Sequence, residues 1–164
     1  DGVGIQIGRC LSALPLPSHV MVRFSPQIDL DLIDYLLAAQ SVIFCDATRM
    51  GHLCGSVSVH DWQTTASLSS QPYCCHGIGL SDLLKIAGEL EPRADRRDIH
   101  LVGVEARVLD TFGVELSDEV RVAVPKAVAA VLRLLGAADE LLASAELISE
   151  HMRSPPLLDV VTSC

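Results

Sequence analysis

Short apolar runs alternate with segments of helical period along this chain, and this alternation restricts the fold more than any other feature. Residues 41–45 form a compact apolar run that ends at Asp46, and residues 99–104 form a second run. Both have the profile of strands buried in a parallel sheet. Residues 79–90 and 117–135 instead carry apolar side chains at helical spacing. The alternation predicts an α/β fold, a three-layer sandwich with a mostly parallel twisted sheet and helices on both faces.

The other segments predict a helix at the start of the chain, a strand over residues 20–24, a helix over 30–39 and a half-exposed edge strand over 56–60. Aromatic residues make up only 4% of the chain, so aliphatic side chains must supply most of the core. In the first helix one face is apolar: Val3, Ile7, Cys10, Leu11 and Leu14. In the helix over 30–39 the residues expected to point inward are Leu30, Ile33, Leu36 and Leu37.

The polar segments and the chain end complete this prediction. Residues 63–70 are rich in Ser and Thr, which predicts a mobile loop. Ser117 is a suitable N-cap for the longest helix, and Pro125 inside that helix predicts a kink or a late start. The pattern then weakens, so residues 1–137 are predicted to form one α/β domain and residues 138–164 a C-terminal extension or tail.

Charge and cysteine usage exclude several classes of protein. A formal net charge of -9 argues against a nucleic-acid partner, which needs a clustered basic face. None of the six cysteines is in C-x-x-C spacing, which indicates free thiols in a cytoplasmic protein rather than a zinc or redox site. No apolar run approaches the roughly 20 residues of a membrane helix. We expect a cytoplasmic monomer with no membrane partner.

Three side chains at loop positions are candidate ligands or catalytic groups. Asp46 follows a strand at its carboxyl end, where α/β sheets bind ligands, although it could equally cap the following loop. His76 stands at a helix entry and is either a ligand for nickel or another transition metal, or a surface or capping histidine. Asp1 precedes a turn with two glycines. If the fold brings them together, these three residues would form a metal site with open coordination.

Other chemistries find little support in the sequence. There is no G-x-S-x-G nucleophile elbow, no H-E-x-x-H motif and no P-loop. The lack of a phosphate-cradling glycine loop after a strand argues against a nucleotide binder. Cys74 or Cys75 beside His76 could pair as a thiol nucleophile and base, but adjacent residues rarely orient correctly for that proton transfer.

Five blocks occur in a fixed order along the chain: Asp1-Gly2-Val3-Gly4, Ile43-Phe44-Cys45-Asp46-Ala47, His76-Gly77-Ile78-Gly79-Leu80-Ser81-Asp82-Leu83-Leu84, Leu101-Val102-Gly103-Val104-Glu105 and Gly113-Val114-Glu115-Leu116-Ser117. Through these blocks and their order, the sequence resembles the hydrogenase maturation peptidase family over about residues 1–135. Members of that family remove the C-terminal extension from the large-subunit precursor of nickel–iron hydrogenases. The resemblance implies a phosphorylase/hydrolase-like sandwich.

The resemblance also implies roles for individual residues. Carried over, Asp1, Asp46 and His76 are the nickel-binding and catalytic residues of a peptidase that is classified as aspartic-type. The nickel belongs to the hydrogenase precursor, so no tightly bound metal is expected in the free protein. The peptidase would thereby act as a checkpoint on nickel insertion.

Two departures from the family pattern leave an alternative open. The family usually begins with an apolar strand and a Gly-x-Gly-Asn turn, whereas this sequence starts at Asp1, so the first strand is expected to be missing. Residues 24–29 also lack the glycine-rich turn that many members carry. The alternative function is a non-catalytic, nickel-dependent docking module for hydrogenase assembly, or an inactive fragment.

Overall fold

The computed structural model describes residues 2–25, 28, 30–67, 79–91, 98–107 and 116–136. Five helices and three strands lie within these residues: α1 Val3–Ser12, α2 Leu32–Ala38, β1 Ser41–Thr48, β2 Val57–Asp61, α3 Trp62–Ser67, α4 Leu80–Leu90, β3 Asp98–Glu105 and α5 Asp118–Leu134. None of the described helices is both long and apolar enough to cross a bilayer. The predicted C-terminal extension, residues 138–164, lies outside the described residues.

The three strands form one sheet in the order β1-β3-β2. β1 and β3 are parallel, with Ser41 opposite Asp98 and Thr48 opposite Glu105. β2 pairs antiparallel with β3 and occupies an edge, as its alternation of Ser and Val predicts. The sheet is therefore mixed over the described strands, while the α/β class itself is confirmed.

Helices cover both faces of this sheet because alternate residues of a strand point to opposite sides. Val102 and Val104 of β3 pack with α1 and α5 in one apolar cluster. Ile99 packs with α2 and α4 in a second cluster on the other face. The predicted three-layer sandwich is thus confirmed, and each layer holds its own core.

The strongly periodic helices agree with their prediction. The five apolar residues expected on the inner face of α1 are all buried: Val3, Ile7, Cys10, Leu11 and Leu14. At the start of α5, Ser117 Oγ accepts a hydrogen bond from the Val120 amide at 3.5 Å, which makes it the N-cap. α5 runs from Asp118 through Pro125 without a late start.

Three local predictions were wrong. Residues 20–24 form no strand, because no partner strand lies beside them among the described residues. The first part of the predicted loop over 63–70 is helical: α3 begins after Asp61, whose carboxylate accepts from the Thr64 amide at 2.8 Å and caps the turn. Leu30 is 52% exposed rather than inward, because α2 begins only at Leu32.

Candidate functional site

Asp46 lies near the carboxyl end of β1, on the face covered by α2 and α4. Phe44 and Val42, two and four residues earlier on the same strand, pack into that helical layer, and side chains two apart share a face. The register places Asp46 opposite Gly103 of β3. The strand continues to Thr48, three residues beyond its predicted end, so Asp46 lies within the sheet and not in a loop.

The Asp46 carboxyl group is exposed to solvent, yet surrounding protein atoms partly desolvate it. This desolvation raises its pKa from the usual value of 3.8. A hydrogen bond that Oδ1 accepts from the Ala47 amide at 2.8 Å opposes the effect in part. The result is a solvent-accessible carboxylate at the carboxyl edge of the sheet, the position where α/β folds bind ligands.

The first turn of α1 packs directly against this edge. A Cβ at Gly4 would overlap the Cys45 carbonyl oxygen and would lie 3.9 Å from the Asp46 Cα, so only glycine permits the approach. Gly2 is the N-cap of α1, and Asp1 precedes it in the chain. Asp1 itself lies outside the described residues. Gly4, three residues later in the chain, contacts the backbone at Cys45 and Asp46.

α4 approaches the same edge from the other layer. It lies in the crossover between the parallel strands β1 and β3, where a helix runs back against the strand direction. Its first turn therefore faces the carboxyl edge, on the sheet face that Asp46 shares. The N-cap is Gly79, three residues after His76. His76 lies outside the described residues.

A second carboxylate, Glu105 at the end of β3, has a role that was not predicted from the sequence. Glu105 is only 4% exposed. Its two oxygens accept hydrogen bonds from one hydroxyl at the end of β1 and from three backbone amides of the segment that follows β1. The donors are Thr48 Oγ1 at 3.3 Å, Met50 N at 2.9 and 3.0 Å, Gly51 N at 2.8 Å and His52 N at 3.1 Å. In the sequence, Glu105 stands out as an acidic residue at the end of an apolar strand. Buried carboxylates are rare unless they are paired, so this position predicts hydrogen-bond donors around Glu105.

Glu105 also bears on the alternative role of Asp46 as a loop cap. The amide groups of residues 50–52 are held by Glu105, whereas Asp46 accepts from its neighbour Ala47. The backbone amides of residues 50–52 are thus capped by the buried carboxylate of Glu105 and not by Asp46. The exposed carboxylate of Asp46 remains directed to solvent.

A hydroxyl–imidazole pair on β2 was also missed. Ser58 Oγ and His60 Nε2 are 2.9 Å apart, and both residues are half-buried. Ser58 lies opposite Gly103, which in turn lies opposite Asp46. The three positions form a row across the sheet, and the two outer backbones are separated by two strand spacings, about 10 Å.

Cys10, Cys45 and Cys54 lie in the described part of the chain, and none of them forms a disulfide bond there. Burial, and secondarily the charge of Asp46, raises the pKa of the Cys45 thiol to about 12, so it is not a ready metal ligand at neutral pH. Cys74, Cys75 and Cys164 lie outside the described residues.

Among the described residues no group of three or more His, Cys, Asp or Glu side chains is arranged to hold a metal ion. Asp46 is the candidate ligand that the structure describes, and the segments that carry the other two candidates lead into α1 and α4 at the same edge.

Comparison with known proteins gives concordant matches. A sequence profile of the family described as hydrogenase maturation protease matches residues 28–134. Protein FrxA of Pyrococcus furiosus is 29% identical over 136 residues, which cover 82% of this chain and 95% of that protein. The crystal structure of a hydrogenase 2 maturation peptidase from a Thaumarchaeota archaeon superposes with a TM-score of 0.54 at 28% identity, covering 84% of this chain and 90% of that one.

Proposed function

Because this chain belongs to the hydrogenase maturation protease family, we propose that it removes the C-terminal extension of a nickel–iron hydrogenase large-subunit precursor after nickel insertion. The observation that carries the proposal is the placement of Asp46. Its carboxylate is exposed at the carboxyl edge of the sheet, with the first turn of α1 packed beside it. This is an open site that a large protein substrate can reach.

In this proposal Asp1, Asp46 and His76 bind the nickel of the precursor. Carboxylate and imidazole groups are suitable ligands for this ion, and three of them leave coordination positions for the ligands of the substrate. The metal would bridge enzyme and substrate and fix the scissile bond near the carboxylates. A precursor without nickel would lose that bridge, which explains why cleavage would follow metal insertion.

The chemical step would use the same residues. Bound nickel would polarise the scissile carbonyl or lower the pKa of a water molecule. Asp46 in its carboxylate form would accept the proton of the attacking water, the role of a general base in an aspartic-type peptidase. We place the reaction in the cytoplasm, since Cys10, Cys45 and Cys54 form no disulfide bond among the described residues. The proposed enzyme acts as a monomer.

A cleavage assay tests this function. Nickel-loaded and nickel-free precursors are incubated with the protein, and the C-terminus is read by mass spectrometry. We expect release of the extension from the loaded form alone, and loss of release with Asp46→Asn and with His76→Gln. If the loaded precursor binds but is not cut, the protein is a docking module for hydrogenase assembly instead of a peptidase.

A further inference from the structure

The segment between β1 and β2, residues 49–56, is bound near both ends by one residue of β3. We call it the clamp loop. The Glu105 carboxylate accepts from three of its amides, as described above. The main chain of Glu105 binds the far side of the loop, since Gly55 N donates to its carbonyl at 2.8 Å and its own amide donates to Ser56 O at 2.9 Å. Gly51 provides the left-handed turn, with φ of +85°.

The clamp loop crosses the carboxyl end of the sheet next to Asp46. It leaves β1 after Thr48, two residues beyond Asp46, which corresponds to roughly 7 Å along a strand. It then passes over the end of β3 and enters β2 at Val57. A peptide whose scissile bond lies at Asp46 would therefore have the clamp loop at its side.

The clamp loop presents an apolar side chain on a surface without acidic residues. Leu53 is 84% exposed, the highest fraction among the exposed large apolar residues that the structure describes. No carboxylate occurs between Asp46 and Asp61, although the chain contains 21 acidic residues. The loop itself carries Arg49 and an exposed His52. This combination suits an uncharged or acidic peptide with an apolar side chain.

We propose that the clamp loop recognises the precursor peptide that flanks the scissile bond, and that Leu53 is a specificity-determining residue that contacts an apolar side chain of that peptide. The proposal rests on the proposed peptidase function. An isolated exposed leucine is common on protein surfaces. This one stands on a backbone that a buried carboxylate holds in place, so little conformational entropy is lost when a partner packs against it.

The test compares Leu53→Ala with Leu90→Ala in the full chain on the nickel-loaded precursor. Leu90 is a matched control, because it is 63% exposed but ends α4 away from the carboxyl edge. We expect Leu53→Ala to raise KM about tenfold with kcat within about twofold of wild type. Leu90→Ala should change neither constant. Equal KM values for Leu53→Ala and wild type would overturn the role of the loop while leaving the peptidase function intact.

A second variant tests the clamp itself. Glu105→Gln keeps the side-chain shape but replaces one acceptor oxygen with an amino group that faces backbone N–H donors. We expect faster proteolytic nicking at residues 49–53 and a KM increase of at least threefold, at a temperature where circular dichroism shows the variant fully folded. A folded Glu105→Gln variant with the wild-type KM would contradict the proposal. If wild-type protein fails to cut the loaded precursor, the proposed function fails first.

Discussion

The Asp46 carboxyl group lies in surroundings that disfavour its charged form, as its raised pKa indicates. An ionised group held in this way lowers the stability of the fold and is retained where it has another use. We therefore expect Asp46→Asn to abolish cleavage while leaving the melting temperature at pH 7 equal to or above that of wild type. The Asn side chain can still accept the hydrogen bond from the Ala47 amide.

The pH dependence of that stability difference follows from the direction of the shift. Because the folded pKa of Asp46 is above the unfolded value, the folded state takes up its proton first as the pH falls. Wild type therefore gains stability relative to Asp46→Asn between the raised pKa and 3.8. Thermal unfolding of both proteins from pH 7 to pH 4 measures this. A difference that grows as the pH falls would contradict the assignment.

Cys45 provides a second measurement at the residue scale. Its pKa of about 12, against an ordinary 9.0, leaves about a thousandfold less thiolate at neutral pH. We expect iodoacetamide to modify Cys45 at least a hundredfold more slowly in the folded protein than in urea, as followed by peptide mass spectrometry at pH 8. In Asp46→Asn the rate should rise only modestly, because burial is the larger cause. Rapid modification of Cys45 in the folded wild type would contradict its raised pKa.

At the scale of elements, the packing of α1 on β1 determines which residues reach Asp46. A Cβ at Gly4 would overlap a backbone carbonyl, which cannot move without displacing the strand. We expect Gly4→Ala to lower the free energy of unfolding by about 1–3 kcal/mol and to weaken binding of the nickel-loaded precursor. Urea denaturation and a pull-down of the loaded precursor measure the two effects.

Gly8 on the same helix is the matched control. The three atoms nearest to a Cβ there all belong to the ring of Phe24, the closest at 2.7 Å, and that exposed side chain can rotate aside. Alanine also favours a helix over glycine by about 0.5–1 kcal/mol. Gly8→Ala should therefore be neutral or stabilising, with precursor binding unchanged. Equal destabilisation by both substitutions would attribute the effect to α1 in general and not to its contact with β1.

Periodicity predicted those elements whose side chains face a core. The apolar stripe of α1, the Ser117 cap of α5 and the central parts of β1 and β3 could be derived from the sequence, although both strands extend beyond their predicted ends to include Asp46 and Glu105. Residues 20–24 have the pattern of a strand, but a strand also requires a partner, which local sequence does not specify. α3 was missed because residues 63–67 are rich in Ser and Thr and show no apolar helical period, and the cap formed by Asp61 was not recognised.

The candidate site was predictable in part for the same reason. Asp46 was identified because the carboxyl end of a parallel strand is a general ligand position. The role of Glu105 depends on hydrogen bonds to residues 50–52, which are more than fifty positions away in the chain. No local pattern encodes such a contact. The hydrogen bonds between Glu105 and residues 50–52 could therefore be found only in the folded structure.

At the scale of the whole molecule, the described part of the chain brings one exposed carboxylate, one helix start beside it and a clamped loop to a single edge of the sheet. The opposite edge ends in the surface residue Leu90 and the amino ends of β1 and β3. In the proposed function, a precursor that carries nickel would bind at the edge that contains Asp46.

Thermal stability in the presence of each ligand tests that arrangement. A partner that binds only the folded state stabilises it by RT ln(1 + [L]/Kd), about 2.7 kcal/mol at a hundredfold excess over Kd. We expect the nickel-loaded precursor to raise the melting temperature of the Asp46→Ala protein less than that of wild type. The proteins are mixed with the precursor at 4 °C and heated rapidly, so that little cleavage occurs before unfolding. Nickel ions alone at micromolar concentration should raise neither, because the precursor supplies the remaining ligands. A large shift with nickel alone would mean that the free protein holds its own metal, and the nickel would then be a resident cofactor and not part of the substrate.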